Sequence, residues 1–208
     1  MPRSPEQYEA MRAATRERVW SAAVRVFARQ GYAATNMRRI AAEAGISTGL
    51  IYRHAATKEE LFADLVTRAA EGLGTVAERF RDARRPGETL RAFTEEFVGD
   101  LSGDGEYAEF HRLVHQAFAQ GLQEGDGASA AVRTLVERRD ELLRATVELI
   151  RCGQRSGGFR AGDPRELADC YFAMLDGLVT MRFGLGEGFC VPGVDTLTGF
   201  LAEGEHDG

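Results

Sequence analysis

Residues 36–44 and 47–54 read as two helices divided by little more than Gly45, and each is too short to persist alone in water. They require longer neighbours to brace them, and the sequence supplies one on each side. Before them, a helix from about Ala13 to Gln30 carries Val19, Ala23, Val26, Phe27 and Gln30 on one stripe and closes at Gly31. After them, Thr57-Lys58-Glu59-Glu60 opens a helix running to about Phe80, with Thr57 and Glu60 forming a capping box. Between these braces, Ile40, Ala41, Ala44, Ile46, Leu50 and Ile51 form the inner pattern of a helix-turn-helix. Small Ala41 admits a close approach of the two helices, and Gly45 supplies the positive φ of the turn. Thr35 and Ser47 are the expected N-caps of the two short helices.

The second short helix then exposes Thr48, Gly49, Tyr52, Arg53 and His54: a small leading end that can come close to base edges, rimmed by donors for phosphate. Charge supports this reading. The net charge of the chain is −6, yet residues 1–60 hold ten of the 26 cations and six of the 32 acids, so a basic head sits on an acidic body. Lys58, the single lysine, stands at a helix N-terminus, where the dipole also favours an anion.

Strand-like patterns are lacking throughout, and helical stretches bounded by Gly, Ser, Thr or Asp continue at about 88–101, 106–121, 128–153, 164–185 and 194–201. At 164 the start is marked by Asp163 as cap, Pro164 in the first helical position and Glu166. The expected fold is all-α, with about nine helices: a three-helix helix-turn-helix domain over 1–57, then a helical ligand-binding and dimerisation domain over 58–208, connected by the helix 58–80. No apolar run is long enough to cross a membrane and no signal peptide is evident, so a cytoplasmic location without membrane partners is expected.

The run Gly31-Tyr32-Ala33-Ala34-Thr35, Arg38 to Ser47, Ile51-Tyr52-Arg53-His54 and Lys58-Glu59-Glu60-Leu61 resembles the DNA-binding head of the TetR family of transcriptional regulators over about residues 15–65. The resemblance implies phosphate contacts from Thr35 and Arg38, base contacts from Thr48, Gly49 and Arg53, and a grip on the DNA backbone by Tyr52, His54 and Lys58, with Ser47 counted among the DNA-binding residues. Ala55 stands where the family usually has an aromatic residue. It further implies a small-molecule pocket in the body, a homodimer joined by the last two helices in a four-helix bundle, and a repressor function. Double-stranded DNA with a pseudo-palindromic operator, a small apolar or aromatic effector and a second copy are the expected partners, and no cofactor is expected.

In the body, Phe93, Phe97, Phe110, His111, Val114, His115, Phe118, Leu142 and Met174 are candidate pocket residues, drawn from side chains that would equally build a core. The helix from Pro164 is apolar nearly all round, which asks for cover on two sides and makes Tyr171, Ala173, Gly177, Leu178 and Met181 candidates for a dimer interface. His111 and His115 share a helix face at i, i+4, a geometry able to hold a metal. They lack a firm third ligand in sequence, Glu109 or a cysteine being the candidates considered, so no metal is assigned. Cys152, Cys170 and Cys190 are odd in number and widely spaced, fitting apolar fillers, with a thiol sensor as the alternative. Gly184-x-Gly186-x-Gly188 lacks the strand of a dinucleotide site, and Gly103-Asp104-Gly105 and Gly125-Asp126-Gly127 lack the spacing of calcium ligands; all read as turns. No catalytic residue is assigned. A helical metal-dependent enzyme and an interaction module that does not bind DNA are the competing classes, separable by metal content and by salt-dependent DNA binding.

Overall fold

The computed structural model describes residues 5–103 and 105–202, so Asp104 lies outside the described residues. Nine α-helices are found among them: α1 (Pro5–Gln30), α2 (Met37–Glu43), α3 (Thr48–Ile51), α4 (Lys58–Arg81), α5 (Pro86–Ser102), α6 (Glu106–Glu124), α7 (Ala130–Arg155), α8 (Pro164–Leu185) and α9 (Val194–Thr198). None is long and apolar enough to cross a membrane.

Helix α1 begins about two turns before Ala13, where the apolar stripe suggested a start. Residues 6–14 are exposed, so these turns rest on the helix propensity of Glu, Ala, Met and Arg rather than on burial. The cap of α2 is Asn36, whose Oδ1 accepts from the Arg39 N–H at 3.0 Å. Thr35, expected in that role, is buried instead and donates its hydroxyl back to the Gly31 carbonyl at 2.8 Å. Ser47 caps α3 as its position suggests, accepting from the Leu50 N–H. The Thr57 hydroxyl accepts from the Glu60 N–H at 3.1 Å, while the Glu60 carboxylate reaches the N–H of Ala56, one residue further back than in the usual capping box.

Two apolar clusters run through the molecule. The first joins Val19, Phe27, Ile40, Ile51, Leu61 and Leu65 to Leu113 of α6 and to Val132 and Leu135 of α7. The second is built from Phe80, Leu90, Phe97, Leu149, Ile150, Tyr171 and Leu175. Helix α4 feeds both, with Leu61, Leu65, Val66, Ala69 and Ala70 in the first and Ala77 and Phe80 in the second. The head is also fastened to α6 by polar contacts. Arg29 Nε lies 2.7 Å from Glu109 Oε1, and the Ser21 hydroxyl donates to the Glu106 carboxylate. Short α9 packs on α5, with Leu197 buried and Arg91 paired with Asp195.

Candidate nucleic-acid interface and effector cavity

The turn between α2 and α3 is set by Gly45 at φ +63°, inside the left-handed region where a side chain would be strained. A partner that sequence reasoning overlooked fixes it from α1: Arg18 Nη2 donates to the Ala44 carbonyl at 2.6 Å and to Gly45 O at 3.3 Å. With Ala41, Ala44 and Ile51 buried beneath, α3 is held out as a short rigid stub.

Its outer face presents Thr48, Gly49, Tyr52 and Arg53, all exposed, with Tyr52 at 52%. Arg38 and Arg39 are exposed on neighbouring α2. His54 is half-buried, and its pKa is lowered by burial and then by the positive charges of Arg16 and Arg12. The lowering favours the neutral imidazole at pH 7 in the free protein. These two arginines, exposed at i, i+4 on the early turns of α1, extend the basic rim; their spacing was visible, but the start assigned to α1 removed Arg12 from the helix.

Two expected phosphate ligands are placed differently. Thr35 is buried with its hydroxyl engaged, as described. Lys58 turns inward: Nζ donates to the Tyr32 and Thr35 carbonyls at 3.1 and 3.2 Å and sits 4.4 Å from the centre of the Tyr32 ring. The ammonium thus ties the α1–α2 connection to the start of α4. Replacing Lys58 by methionine is expected to cost about 1–3 kcal/mol of stability through lost charged hydrogen bonds. The dependence of DNA affinity on salt should then change by less than the about one unit of slope of a lost phosphate contact. Thermal melts and a salt titration check both; a full unit would identify Lys58 as a phosphate ligand.

A cavity of about 570 Å³ lies between α4, α5, α6, α7 and α8. Phe93, Phe97, Phe110, His111, Val114, His115, Phe118 and Leu142 line it, with Tyr107, Arg139, Phe172 and Asp176 that sequence reasoning missed. Met174 is not among the lining residues and packs instead against the second apolar cluster. Phe172 and Asp176 are i, i+4 on α8, so a period count from Phe172 would have found the acid.

The polar groups of the cavity gather at one place. His115 Nε2 and Asp176 Oδ1 are 3.0 Å apart, and Arg139 lies 3.9 Å from the other carboxylate oxygen. Burial acts to raise the pKa of Asp176, but the His115 hydrogen bond and the charges of His115, His111 and Arg139 outweigh it, leaving a net lowering. His111 Nδ1 is buried without a hydrogen-bond partner. Its pKa is pushed down to about 4, by desolvation first, with His115 adding to the shift against the opposing pull of Asp176. Burial, and then the charges of Asp100 and Asp176, keep the Tyr107 phenol protonated.

On α8, Ala173, Gly177 and Met181 form an exposed stripe, with Met181 at 48% and Leu185 beyond it at 61%. Tyr171 and Leu178 belong to a neighbouring stripe and are buried within the chain, which corrects their placement at an interface. The Thr94 hydroxyl donates to the Leu90 carbonyl and so accepts from the Tyr171 hydroxyl at 2.7 Å, which is why a tyrosine is tolerated there.

A helix-turn-helix stub exposed on a basic head and joined to a cavity-bearing helical body defines the class of ligand-linked DNA-binding regulators. Residues 20–65 match the sequence profile of the bacterial regulatory proteins of the tetR family. It is 31% identical over 81 residues to the HTH-type transcriptional regulator AcrR of Shigella flexneri, a match spanning 39% of this chain and 37% of that protein. To the HTH-type transcriptional repressor Rv1474c of Mycobacterium tuberculosis it is 28% identical over 189 residues, 90% of each chain. The fold is shared with a transcriptional regulator from Saccharomonospora viridis crystallised with choline: TM-score 0.60 and 24% identity, over 89% of this chain and 92% of the other. The relatives are transcriptional regulators, and an enzyme or a module indifferent to DNA is not favoured.

Proposed function

We propose that this chain is a homodimeric repressor that leaves its operator when a small apolar or aromatic molecule fills the cavity in the body. Residues 1–57 act as the reading head, α4 as connector and the remainder as the effector and dimerisation domain. Thr48, Gly49 and Arg53 face bases; Arg38, Tyr52 and His54, with Arg12 and Arg16, line the phosphates. Two copies joined through Ala173, Gly177 and Met181 would place two heads on half-sites about 34–36 Å apart, or a multiple of that spacing, on a pseudo-palindrome. The choline complex of the Saccharomonospora viridis protein is consistent with ligand binding on this fold.

The observation that carries the reading is that one helix serves both ends. Helix α6 walls the cavity with Phe110, His111 and Val114, and through Glu106 and Glu109 it holds Ser21 and Arg29 of the head. A ligand that moves α6 therefore moves the head. A differential affinity of about 1–3 kcal/mol between free and liganded forms would change DNA affinity about 5- to 150-fold.

The test is binding of the full chain to duplex DNA from upstream of its own gene, followed by fluorescence anisotropy, with apolar and aromatic compounds added. Salt-dependent binding, weakened in that range by a compound that also raises the melting temperature, is the expected result. Failure to bind any duplex at low salt would overturn it.

A further inference from the structure

We propose that His111, His115 and Asp176 form a binding site for a divalent transition-metal ion of the Zn²⁺ class on the wall of the cavity, one position of the ion's coordination shell facing the cavity. One ligand atom from each of these residues lies within 4.8 Å of the others. The third ligand, absent from the sequence neighbourhood of the histidine pair, comes from α8, 61 residues along the chain from His115. Ligands about 2.0–2.2 Å from a tetrahedral ion stand roughly 3.4 Å apart, so the three need only close by small rotations of side chains anchored on two packed helices.

The donor set fits such an ion better than it fits any other role in the molecule. Imidazole is a borderline donor and carboxylate a hard one, a mixed set that zinc and its neighbours accept, whereas calcium and magnesium ask for oxygen alone. The buried, unpartnered Nδ1 of His111 marks an imidazole whose polar demands the protein alone does not meet. Arg139, 3.9 Å from Asp176 Oδ2, keeps the carboxylate ionised and oriented while Oδ1 stays with His115, as an outer partner does at metal centres. One carboxylate against the ion's two positive charges leaves the ion with its three ligands at a net +1, a centre that anionic or lone-pair oxygens of an occupant would meet.

The test uses the full chain freed of metal by a chelator, with Co²⁺ as spectroscopic probe and Zn²⁺ measured by competition with a chromophoric chelator. It is read without DNA, so its outcome is independent of repressor function. The expected result is one ion per chain bound at micromolar concentration, with visible cobalt bands of nitrogen and oxygen ligation and no thiolate charge-transfer band. His115→Ala and Asp176→Asn should each weaken binding by at least about 100-fold, and Arg139→Gln by no more than the about 10- to 100-fold of an outer-shell partner. His115 is exposed and Asp176→Asn keeps its shape, so both variants are expected to fold, as far-UV circular dichroism checks. Absence of binding, unchanged affinity in both variants, or a thiolate band pointing to Cys152, Cys170 or Cys190 would each overturn the proposal.

Discussion

Replacing Gly49 by glutamate is expected to weaken specific DNA binding by at least about 100-fold, about 3 kcal/mol, while leaving the melting temperature of the protein unchanged. The two effects separate because of where the residue sits. Gly49 is exposed on the four-residue α3, at an ordinary φ, and a Cβ added there meets nothing within 4 Å. The fold therefore accepts a side chain, and a carboxylate in the first turn of a helix is, if anything, favoured by the dipole. DNA does not accept it. In the proposed docking the stub approaches the duplex with Thr48, Gly49 and Arg53 in front, so the added chain both blocks the approach and sets a negative charge among phosphates. Gly49→Ala, which adds bulk without charge, should lose less. Anisotropy titrations at two salt concentrations with a parallel thermal melt read all of this. Wild-type DNA affinity in Gly49→Glu would remove α3 from the interface.

What the sequence made visible were features settled within a few residues of chain. Helix α8 was read at both ends because Asp163-Pro164 and Leu185-Gly186 are local signals, and the Asp163 carboxylate does accept from the Arg165 N–H at 2.8 Å. The exposed residues of α3 were likewise legible, since Gly45 and the Ser47 cap fix which face turns outward. Thr35 against Asn36 could not be settled locally: either side chain caps a helix, and the choice follows from the burial of Thr35 beneath the α1–α2 connection. The direction of Lys58 depends on two carbonyls more than twenty residues earlier, which charge patterning cannot anticipate. On α8, all-round apolarity concealed which stripe faces its own domain, so Tyr171 and Leu178 were grouped with Ala173, Gly177 and Met181 although the two sets point apart. Asp176 escaped for a related reason, because the pairing that gives it meaning is with a histidine on another helix.

Gly153 offers the second large effect, and here two opposing terms must be weighed. In an exposed helix interior, exchanging glycine for alanine gains about 1 kcal/mol. Gly72 in α4 is such a site, exposed and with nothing within 4 Å of an added Cβ, so Gly72→Ala should raise stability by up to that amount. Gly153 lies in the last turns of α7, and a Cβ there would fall 2.1 Å from Cδ2 and 2.5 Å from Cε2 of the Phe159 ring. The ring has little freedom to retreat. Phe159 is buried in the second apolar cluster, and the turn that returns it to Gly153 is fixed by Gly157 at φ +72° and by the Gly158 and Phe159 N–H groups on the Gly153 carbonyl. Displacing a buried phenylalanine outright costs about 3–5 kcal/mol, and partial accommodation of the extra methyl costs about 1–3 kcal/mol. The overlap outweighs the propensity gain, so Gly153→Ala is expected to lose about 1–3 kcal/mol, at about 2–4 °C of melting temperature per kcal/mol for a chain of this size. In a double-mutant cycle, Gly153→Ala should cost far less once Phe159→Ala has removed the ring, because the two changes act at one contact. Thermal melts of Gly72→Ala, Gly153→Ala, Phe159→Ala and the double variant decide it: a Gly153→Ala protein as stable as Gly72→Ala would mean that the ring does not rest on this helix.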